Sequence, residues 1–356
     1  NNSSSFRCDL AFYDTTAISN YSYIDGTVNL YHSSYNSAVD QFEDVVAAIS
    51  NTTTGALNSW NPDAPNGDIT TIAIDGGKVY IGGNFSMIGS EFRYNIAALD
   101  ASTGSVTTWA PDADGGVTKI LINGGVAYVG GSFTLLGGQA RNNIGAISTT
   151  TGFATSWDPD ADELVITMAI SGTTLYVGGE FTTIGGASRD GGIAALSLST
   201  GNATSWNALG PTGGIVESLV VSGGLLYTGG YFGFIGGQPR LNLVALDLTT
   251  GLANSWDPSI GGGGVICLAT DGSGNIYAGG DFNSVGWSKR KFIAALLKRH
   301  LTFFDTSSDD TGELNSSFRR QSVGCRSPVT EKAVVRSRFS AAARLPKTRK
   351  TRQNTA

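Results

Sequence analysis

The segment Tyr80-Ile-Gly-Gly-Asn-Phe85 decides the fold, because the chain carries the same pattern five times. Each copy begins with tyrosine, contains a pair of glycines and ends with phenylalanine, and successive copies follow at spacings of 48, 48, 51 and 50 residues. The glycines of these pairs are Gly82 and Gly83, Gly130 and Gly131, Gly178 and Gly179, Gly229 and Gly230, and Gly279 and Gly280. A motif that returns at such even spacing marks an array of structural repeats.

Two further residue types keep the same step along the chain. The tryptophans are Trp60, Trp109, Trp157, Trp206 and Trp256. The arginines are Arg93, Arg141, Arg189, Arg240 and Arg290. Because all three markers share one phase, residues 69–109 can stand as a representative unit of the repeat.

This unit predicts four short strands separated by turns. Apolar residues alternate from Ile69 to Ile74, and Asp75-Gly-Gly77 is a turn sequence typical of a β-hairpin. Three more strand segments are predicted at residues 78–81, 95–99 and 105–109, with an irregular stretch after the glycine pair. No part of the unit has helical periodicity.

We therefore predict an all-β fold, a β-propeller of four-stranded antiparallel blades. Four strands in roughly 40 to 50 residues are typical of one blade. A single blade cannot bury both faces of its sheet, so neighbouring blades must stack and the ring must close. We assign the propeller to residues 1–318. Degenerate copies at both ends predict six blades, with five or seven as alternatives, in units 6–60, 61–109, 110–157, 158–206, 207–256 and 257–318.

Residues 319–356 differ in composition from the repeats. They contain eleven Lys or Arg residues and one acidic residue, Glu331, although the whole chain has a net charge of −6. A polybasic arm that binds nucleic acid is one interpretation. We favour a disordered, solvated tail. Nucleic acid is not an expected partner of the rest of the chain.

Composition excludes several classes of protein. The chain has 49 glycines in 356 residues and only 15% charged residues, a profile that suits tight turns between buried strands. No stretch of 18 apolar residues offers a membrane span. Three cysteines without close spacing and two histidines, His32 and His300, leave little material for a disulfide framework, a zinc site or histidine-based catalysis.

The combined motifs of the repeat resemble a known family. Tyr-Val-Gly-Gly-x-Phe, Gly-Gly-x-x-Arg, Ile-Ala-Ala-Leu and Ser-Trp-Asp-Pro-Asp-Ala-Asp are similar to the delta-sixty-type propeller repeats of secreted and surface bacterial proteins. They are less similar to the kelch-like repeats of fungal cortical cell-polarity markers. The resemblance covers residues 45–297 and implies a propeller in an extracytoplasmic setting. It implies no activity, since the repeat carries no catalytic motif.

The repeated residues have structural interpretations. The glycine pairs let a strand bend or a neighbouring backbone approach closely, and the tryptophans supply buried area between sheets. The arginines are expected to bind loop carbonyls or a carboxylate such as Asp100 or Asp247, and an anion-binding collar is the alternative. Trp287, beside Lys289 and Arg290, is either a stacking residue for a ligand or part of a degenerate last blade.

The motif Asp158-Pro-Asp160-Ala-Asp162 is the strongest candidate for a metal-binding site in the repeat. Its alternating carboxylates have the spacing of a calcium loop, and Asp112 and Asp114 form a partial version in the preceding repeat. The distal ligand expected after Asp162 is missing, although calcium prefers six or more oxygens. A solvated turn that caps a strand is therefore the favoured interpretation, and calcium is the candidate cofactor.

These features predict a non-enzymatic propeller, secreted or exposed at the cell surface, that acts as a rigid binding or adhesion module. The partner would be a protein, a glycan or another copy of the chain at the loops of one rim. One alternative is a structural subunit of an extracellular fibre or appendage. The other is a carbohydrate-active enzyme, disfavoured because Asp160 and Asp162 share one turn instead of flanking a cleft.

Overall fold

The structure is a computed structural model that describes residues 28–36, 41–51, 56–57, 62, 65–189, 191–208, 214–271, 274–286, 288–289 and 293–297. These residues form β-strands and turns and contain no helix. The predictions for Trp60, Trp287, Arg290, the end of the last repeat and the tail at 319–356 lie outside the described residues.

Three strands precede the first complete repeat: β1 (Val28–Asn36), β2 (Gln41–Asn51) and β3 (Ala56–Leu57). They form an antiparallel sheet in the order β1-β2-β3. The sheet lies within the segment that the sequence assigns to a degenerate first blade.

Five repeats of one strand pattern follow. Each contains a first, a second and a third longer strand, with a hairpin of two short strands between the second and the third, and repeat 5 has an additional short strand. Repeat 1 contains β4 (Asp68–Asp75), β5 (Lys78–Asn84), β6 (Met87–Ile88), β7 (Glu91–Phe92) and β8 (Ile96–Asp100); repeat 2 contains β9 (Val117–Asn123), β10 (Val126–Gly131), β11 (Leu135–Leu136), β12 (Gln139–Ala140) and β13 (Ile144–Ser148); repeat 3 contains β14 (Val165–Ser171), β15 (Thr174–Gly179), β16 (Thr183–Ile184), β17 (Ala187–Ser188) and β18 (Ile193–Ser197); repeat 4 contains β19 (Ile215–Ser222), β20 (Leu225–Tyr231), β21 (Phe234–Ile235), β22 (Gln238–Pro239) and β23 (Leu243–Asp247); repeat 5 contains β24 (Ile260–Gly261), β25 (Val265–Thr270), β26 (Asn275–Gly280), β27 (Ser284–Val285), β28 (Ser288–Lys289) and β29 (Ile293–Leu297).

The blade differs from the predicted four full strands. In every repeat the three longer strands form an antiparallel sheet with the second strand in the middle. In repeats 1 to 4 the fourth segment pairs with the third strand at a single bridge, such as that between Leu99 and Val106. After this segment the chain leaves the sheet edge, and Trp109 is buried in the core between repeats 1 and 2.

The stretch around the glycine pair also differs from the prediction. Strand β5 continues through Gly82 and Gly83 to Asn84, and the register shifts opposite the pair, between Ile69 and Thr71. This shift is a β-bulge, which lets the strand bend without ending it. The predicted irregular stretch that follows contains the hairpin β6–β7.

The hydrophobic cores lie between successive sheets. The core between repeats 2 and 3 combines Tyr128 and Ile144 of repeat 2 with Val165 and Leu175 of repeat 3. First strands of neighbouring repeats are adjacent, and in repeats 1 and 2 the Thr71 hydroxyl accepts a hydrogen bond from the backbone N–H of Ile120 at 3.2 Å. Antiparallel sheets packed face to face in this way form a β-propeller, so the predicted all-β fold class is confirmed.

The antiparallel order places the loops of every repeat at two ends. One end carries the turns that join the first to the second strand and the third strand to the fourth segment. The other end carries the small hairpins together with the linkers that run from each tryptophan to the next repeat. Linker and hairpin are in contact, because the Asp114 N–H donates to the Leu135 carbonyl. We call this end the hairpin face.

Candidate functional site

The tryptophans lie between adjacent sheets. The Trp157 ring is 5% exposed and meets the Tyr128 ring edge-on, with centroids 5.1 Å apart. Its indole N–H donates to the Ser197 carbonyl at 3.0 Å, which joins repeat 2 to repeat 3. Trp109 and Trp206 make the same two contacts, and Trp256 meets Tyr227 edge-on but is only partly buried.

The two glycines of each pair meet different neighbours. A Cβ on the first glycine would collide with a valine of the next repeat, as at Gly178, where Val216 Cγ1 would be 2.4 Å away. A Cβ on the second glycine would collide with the backbone of its own sheet, as at Gly179, 2.2 Å from the Leu164 carbonyl oxygen. Gly82, Gly130 and Gly229 share the first environment, and Gly83, Gly131, Gly230 and Gly280 share the second, while Gly279 lies next to Gly280 at the end of β26.

The arginines bind carbonyl groups of their own repeat. In Arg189, Nη1 donates to the Ser188 carbonyl and Nη2 to the Thr204 carbonyl, both at 2.7 Å. This clamps the loop after the hairpin to the fourth segment. Arg93, Arg141 and Arg240 make the corresponding pairs of bonds.

Three of these arginines also contact a carboxylate. Arg141 Nη1 lies 3.3 Å from Asp158, and Arg240 Nη1 lies 3.6 Å from Asp257. Arg93 instead contacts Glu91 of its own hairpin, at 3.5 Å. Because the side chains of these three arginines are only 11–13% exposed, little of each guanidinium group remains for a bound anion.

The second carboxylate of the Asp-x-Asp pairs holds the hairpin of its own repeat. Asp162 Oδ1 accepts the backbone N–H groups of Thr182 and Thr183 at 2.9 Å, and Oδ2 accepts the Thr182 hydroxyl at 2.6 Å. Asp114 makes the same bonds to Thr134 and Leu135. Burial alone would raise the pKa of both aspartates, but these hydrogen bonds together outweigh it and lower the pKa.

The other carboxylates of the predicted calcium loop have separate partners. Asp158 pairs with Arg141, whereas Asp160 Oδ1 accepts the Asn142 amide at 2.8 Å. In the preceding repeat, Asp112 Oδ1 accepts the Tyr94 backbone N–H at 3.2 Å. Within the described part of the chain, no group of three or more His, Cys, Asp or Glu side chains is arranged to hold a metal ion. The loop therefore joins structural elements through each carboxylate in turn.

A recurring asparagine, which was not among the residues predicted from the sequence, joins neighbouring repeats. Asn95, Asn143 and Asn242 have positive φ angles of 63°, 61° and 60°, a conformation in which asparagine is enriched. Their amide groups donate to linker carbonyls, as in the 2.8 Å bond from Asn95 to Ala113. The detectable sequence pattern is Arg-x-Asn, which occurs in repeats 1, 2 and 4.

The hydrogen bonds of Asp162 predict a specific acid sensitivity. Because the folded pKa is lowered, the carboxylate stabilises the fold above its unfolded pKa, and this stabilisation is lost as pH falls through the folded pKa. We expect Asp162→Asn to reduce the fall in Tm between pH 5 and pH 2, measured by circular dichroism. In repeat 1 the neutral amide of Asn66 accepts the same two backbone N–H groups and donates to the Ser86 hydroxyl, so the fold should be retained in Asp162→Asn.

The control for this prediction is Asp162→Ala, which removes the acceptor and should lower Tm at every pH. Asp100 and Asp247, whose pKa values are also lowered, are unchanged in both variants, so the difference reports Asp162 alone. An unchanged acid profile in Asp162→Asn would contradict the prediction.

Exposed apolar side chains concentrate on the hairpin face. Nine large hydrophobic side chains are exposed among the described residues, and six of them lie at this end. The six are Phe92, Tyr94, Leu135, Tyr231, Phe234 and Leu241. We call Tyr231, Phe234 and Leu241 the repeat 4 patch. Ile74, Phe153 and Leu252 lie at or beside the turns of the opposite end.

No protein-family model matches the chain, and no curated protein is similar enough to count as a relative. Among solved structures, the chain is similar to the computationally designed Ika8 protein, with 13% identity, a TM-score of 0.50 and coverage of 80% of this chain and 72% of that one. It is also similar to the WD40 beta propeller domain of Doa1, with 11% identity, a TM-score of 0.44 and coverage of 72% and 83%.

A third similar structure is the extracellular domain of BT4673 from B. thetaiotaomicron, with 14% identity and a TM-score of 0.46. The match covers 75% of this chain and 31% of that domain. At such identities the similarity concerns the fold alone. The described part of the chain contains no helix with the length and apolar character needed to cross a membrane.

Proposed function

We propose that the chain is a non-catalytic β-propeller that binds an extracellular partner, a protein or a glycan, through its hairpin face. The observation that supports this proposal is that the repeated polar residues and the exposed apolar residues have different roles. The repeated polar side chains bind other parts of the fold, whereas six of the nine exposed large apolar side chains lie on the hairpin face. A few well-buried anchors, often aromatic, carry most of the binding energy in protein interfaces.

Two further arguments support an extracellular location and the absence of catalysis. The repeat resembles the delta-sixty-type propeller repeats of secreted and surface proteins, which favours a location outside the cytoplasm. The carboxylates that an acid-base mechanism would need, Asp160 and Asp162, accept hydrogen bonds from Asn142 and Thr182. A panel of glycoside substrates should therefore give no turnover, and turnover abolished by Asp160→Asn would overturn the non-catalytic proposal.

The repeat 4 patch provides the test of the binding face. We expect the double variant Phe234→Asp and Leu241→Asp to reduce retention of fluorescently labelled protein on intact cells and extracellular material of the source organism by about fivefold or more. Each charge would be buried without a partner in the complex, at a cost of at least about 1 kcal/mol. Both side chains are exposed in the free protein, at 43% and 50%, so the fold should tolerate the change.

The matched control is the double variant Phe153→Asp and Leu252→Asp, which adds the same charges at the opposite end. Its retention should stay within about twofold of the wild type, since exposed substitutions usually change stability by about 0.5 kcal/mol or less. Equal losses in both double variants, or equal retention of both, would contradict the assignment of binding to the hairpin face.

A further inference from the structure

A depression on the hairpin face of repeat 1 has an unusual lining. It is lined by Asn66, Asn84, Phe85, Ser86, Tyr94 and Asn95. All six side chains are uncharged, and most offer an amide or hydroxyl group. The ring of Tyr94, one of these lining residues, stacks with the ring of Phe92, with centroids 6.5 Å apart and planes inclined by 20°. Both rings are open to solvent, at 63% and 46% exposure.

Comparison with repeat 2 separates what the fold needs from what this depression adds. Phe92 and Tyr94 occupy the positions of Ala140 and Asn142, and repeat 2 forms the same hairpin without aromatic rings. The fold therefore does not require the stacked pair. Adjacent exposed apolar side chains with polar residues around them are a feature of ligand-binding grooves.

The same comparison shows a loss of charge. Asn66 occupies the position of Asp114 and Asp162 and makes the same bonds to its hairpin, accepting the Ser86 and Met87 backbone N–H groups at 2.9 and 3.0 Å. The structural role is kept while the carboxylate is replaced by a neutral amide. A neutral lining favours a neutral ligand, because it leaves no buried charge uncompensated.

Two of the hydrogen-bonding side chains of the depression, Asn66 and Ser86, are bonded to each other before a ligand arrives. Asn66 Nδ2 donates one hydrogen to Ser86 Oγ at 2.9 Å. An amide nitrogen carries two hydrogens and a serine hydroxyl carries one, so one hydrogen on each side chain can reach a ligand. The exposed Asn84 amide adds both a donor and an acceptor. Groups fixed in this way lose little entropy on binding.

We propose that this depression binds a neutral pyranose sugar. One apolar face of the sugar ring would pack on Phe92 and Tyr94, and its hydroxyls would exchange hydrogen bonds with Asn66, Asn84 and Ser86. Apolar surface with a few placed polar groups is the usual construction of small-ligand sites. Glu91, next to Phe92 in the chain, and Asp112, which accepts the Tyr94 backbone N–H, disfavour acidic sugars. The inference deepens the proposed function, on which it rests, by naming the ligand class of this part of the hairpin face.

The test uses the full chain produced in bacteria, where Asn84 in its Asn-Phe-Ser sequence is not glycosylated. Calorimetric titration with neutral gluco-, manno-, galacto- and chito-oligosaccharides should detect binding of at least one of them, and sialylated or uronic oligosaccharides should bind more weakly. Tyr94→Ala should weaken the binding about tenfold, which corresponds to about 1.4 kcal/mol. Phe153→Ala, which removes an exposed ring at the opposite end, should change it by less than about twofold.

Circular dichroism should give the same Tm for Tyr94→Ala and wild type, which separates a lost contact from a lost fold. No binding of any neutral oligosaccharide at millimolar concentration, or equal binding by Tyr94→Ala, would overturn the sugar proposal. The broader function is tested separately at Phe234 and Leu241. If those variants lose cell retention while no sugar binds, the hairpin face binds another partner and only the sugar proposal fails.

Discussion

Gly178→Ala should lower the free energy of unfolding by about 1–3 kcal/mol or more, because the added methyl group has no space between repeats 3 and 4. A Cβ at this position would lie 2.4 Å from Val216 Cγ1 and 2.8 Å from Thr167 Cγ2. Neither side chain can move aside easily, since Val216 is fully buried and Thr167 is 6% exposed. The effect should appear as a lower midpoint of chemical unfolding.

Two further variants isolate the steric cause. Gly233→Ala adds the same methyl group where nothing lies within 4 Å, so its stability should match the wild type within about 0.5 kcal/mol. Adding Val216→Ala to Gly178→Ala removes the colliding Cγ1 atom, so the double variant should be more stable than the sum of the single effects predicts. Additive losses would show that the two residues do not compete for the same space.

The glycine pairs show how far sequence reasoning reaches in a repeat protein. Their phase and the turns around them are enough to predict the all-β propeller, and close approach of a backbone is a predictable role of glycine. The partner of Gly178, however, is a valine in the first strand of the next repeat. Only the packing of two sheets brings Val216 to it, and strand periodicity within one repeat carries no information about that register.

The carboxylate loop at residues 158–162 shows more clearly what sequence spacing cannot predict. The spacing of Asp158, Asp160 and Asp162 allows a calcium loop, but spacing does not fix the direction of side chains in a turn. Asp160 has a φ of 53°, and the three carboxylates are directed to Arg141, Asn142 and Thr182 instead of to one centre. Local sequence therefore identified the polar residues without identifying their partners.

The depression of repeat 1 was not predicted because its distinguishing residues weaken the repeat pattern. Sequence comparison between repeats emphasises what recurs, such as tryptophan and arginine, and these residues turn out to bind other parts of the fold. Phe92, Tyr94 and Asn66 do not recur as residue types at their positions. In a repeat protein, the positions that depart from the pattern while the backbone stays the same are the better candidates for binding.

Trp157→Ala should cost about 3–5 kcal/mol of stability, the usual range for removing a large buried aromatic side chain. Three losses combine at this site. The cavity between repeats 2 and 3 is left unfilled, the edge-on contact with Tyr128 is lost, and the Ser197 carbonyl loses its indole donor at 3.0 Å. Chemical unfolding followed by Tyr and Trp fluorescence should show an earlier transition, and local exchange protection should fall in β10 and β18.

Trp157→Phe and Trp256→Ala separate these contributions. Phenylalanine keeps an aromatic ring against Tyr128 but has no N–H, so it should recover part of the loss and leave the Ser197 carbonyl without its donor, at a cost of about 1–3 kcal/mol. Trp256 makes the same edge-on contact, with Tyr227, but is only partly buried, so its truncation should cost less than that of Trp157. A larger loss of stability in Trp256→Ala than in Trp157→Ala would contradict the argument that burial between the sheets determines how much each tryptophan stabilises the fold.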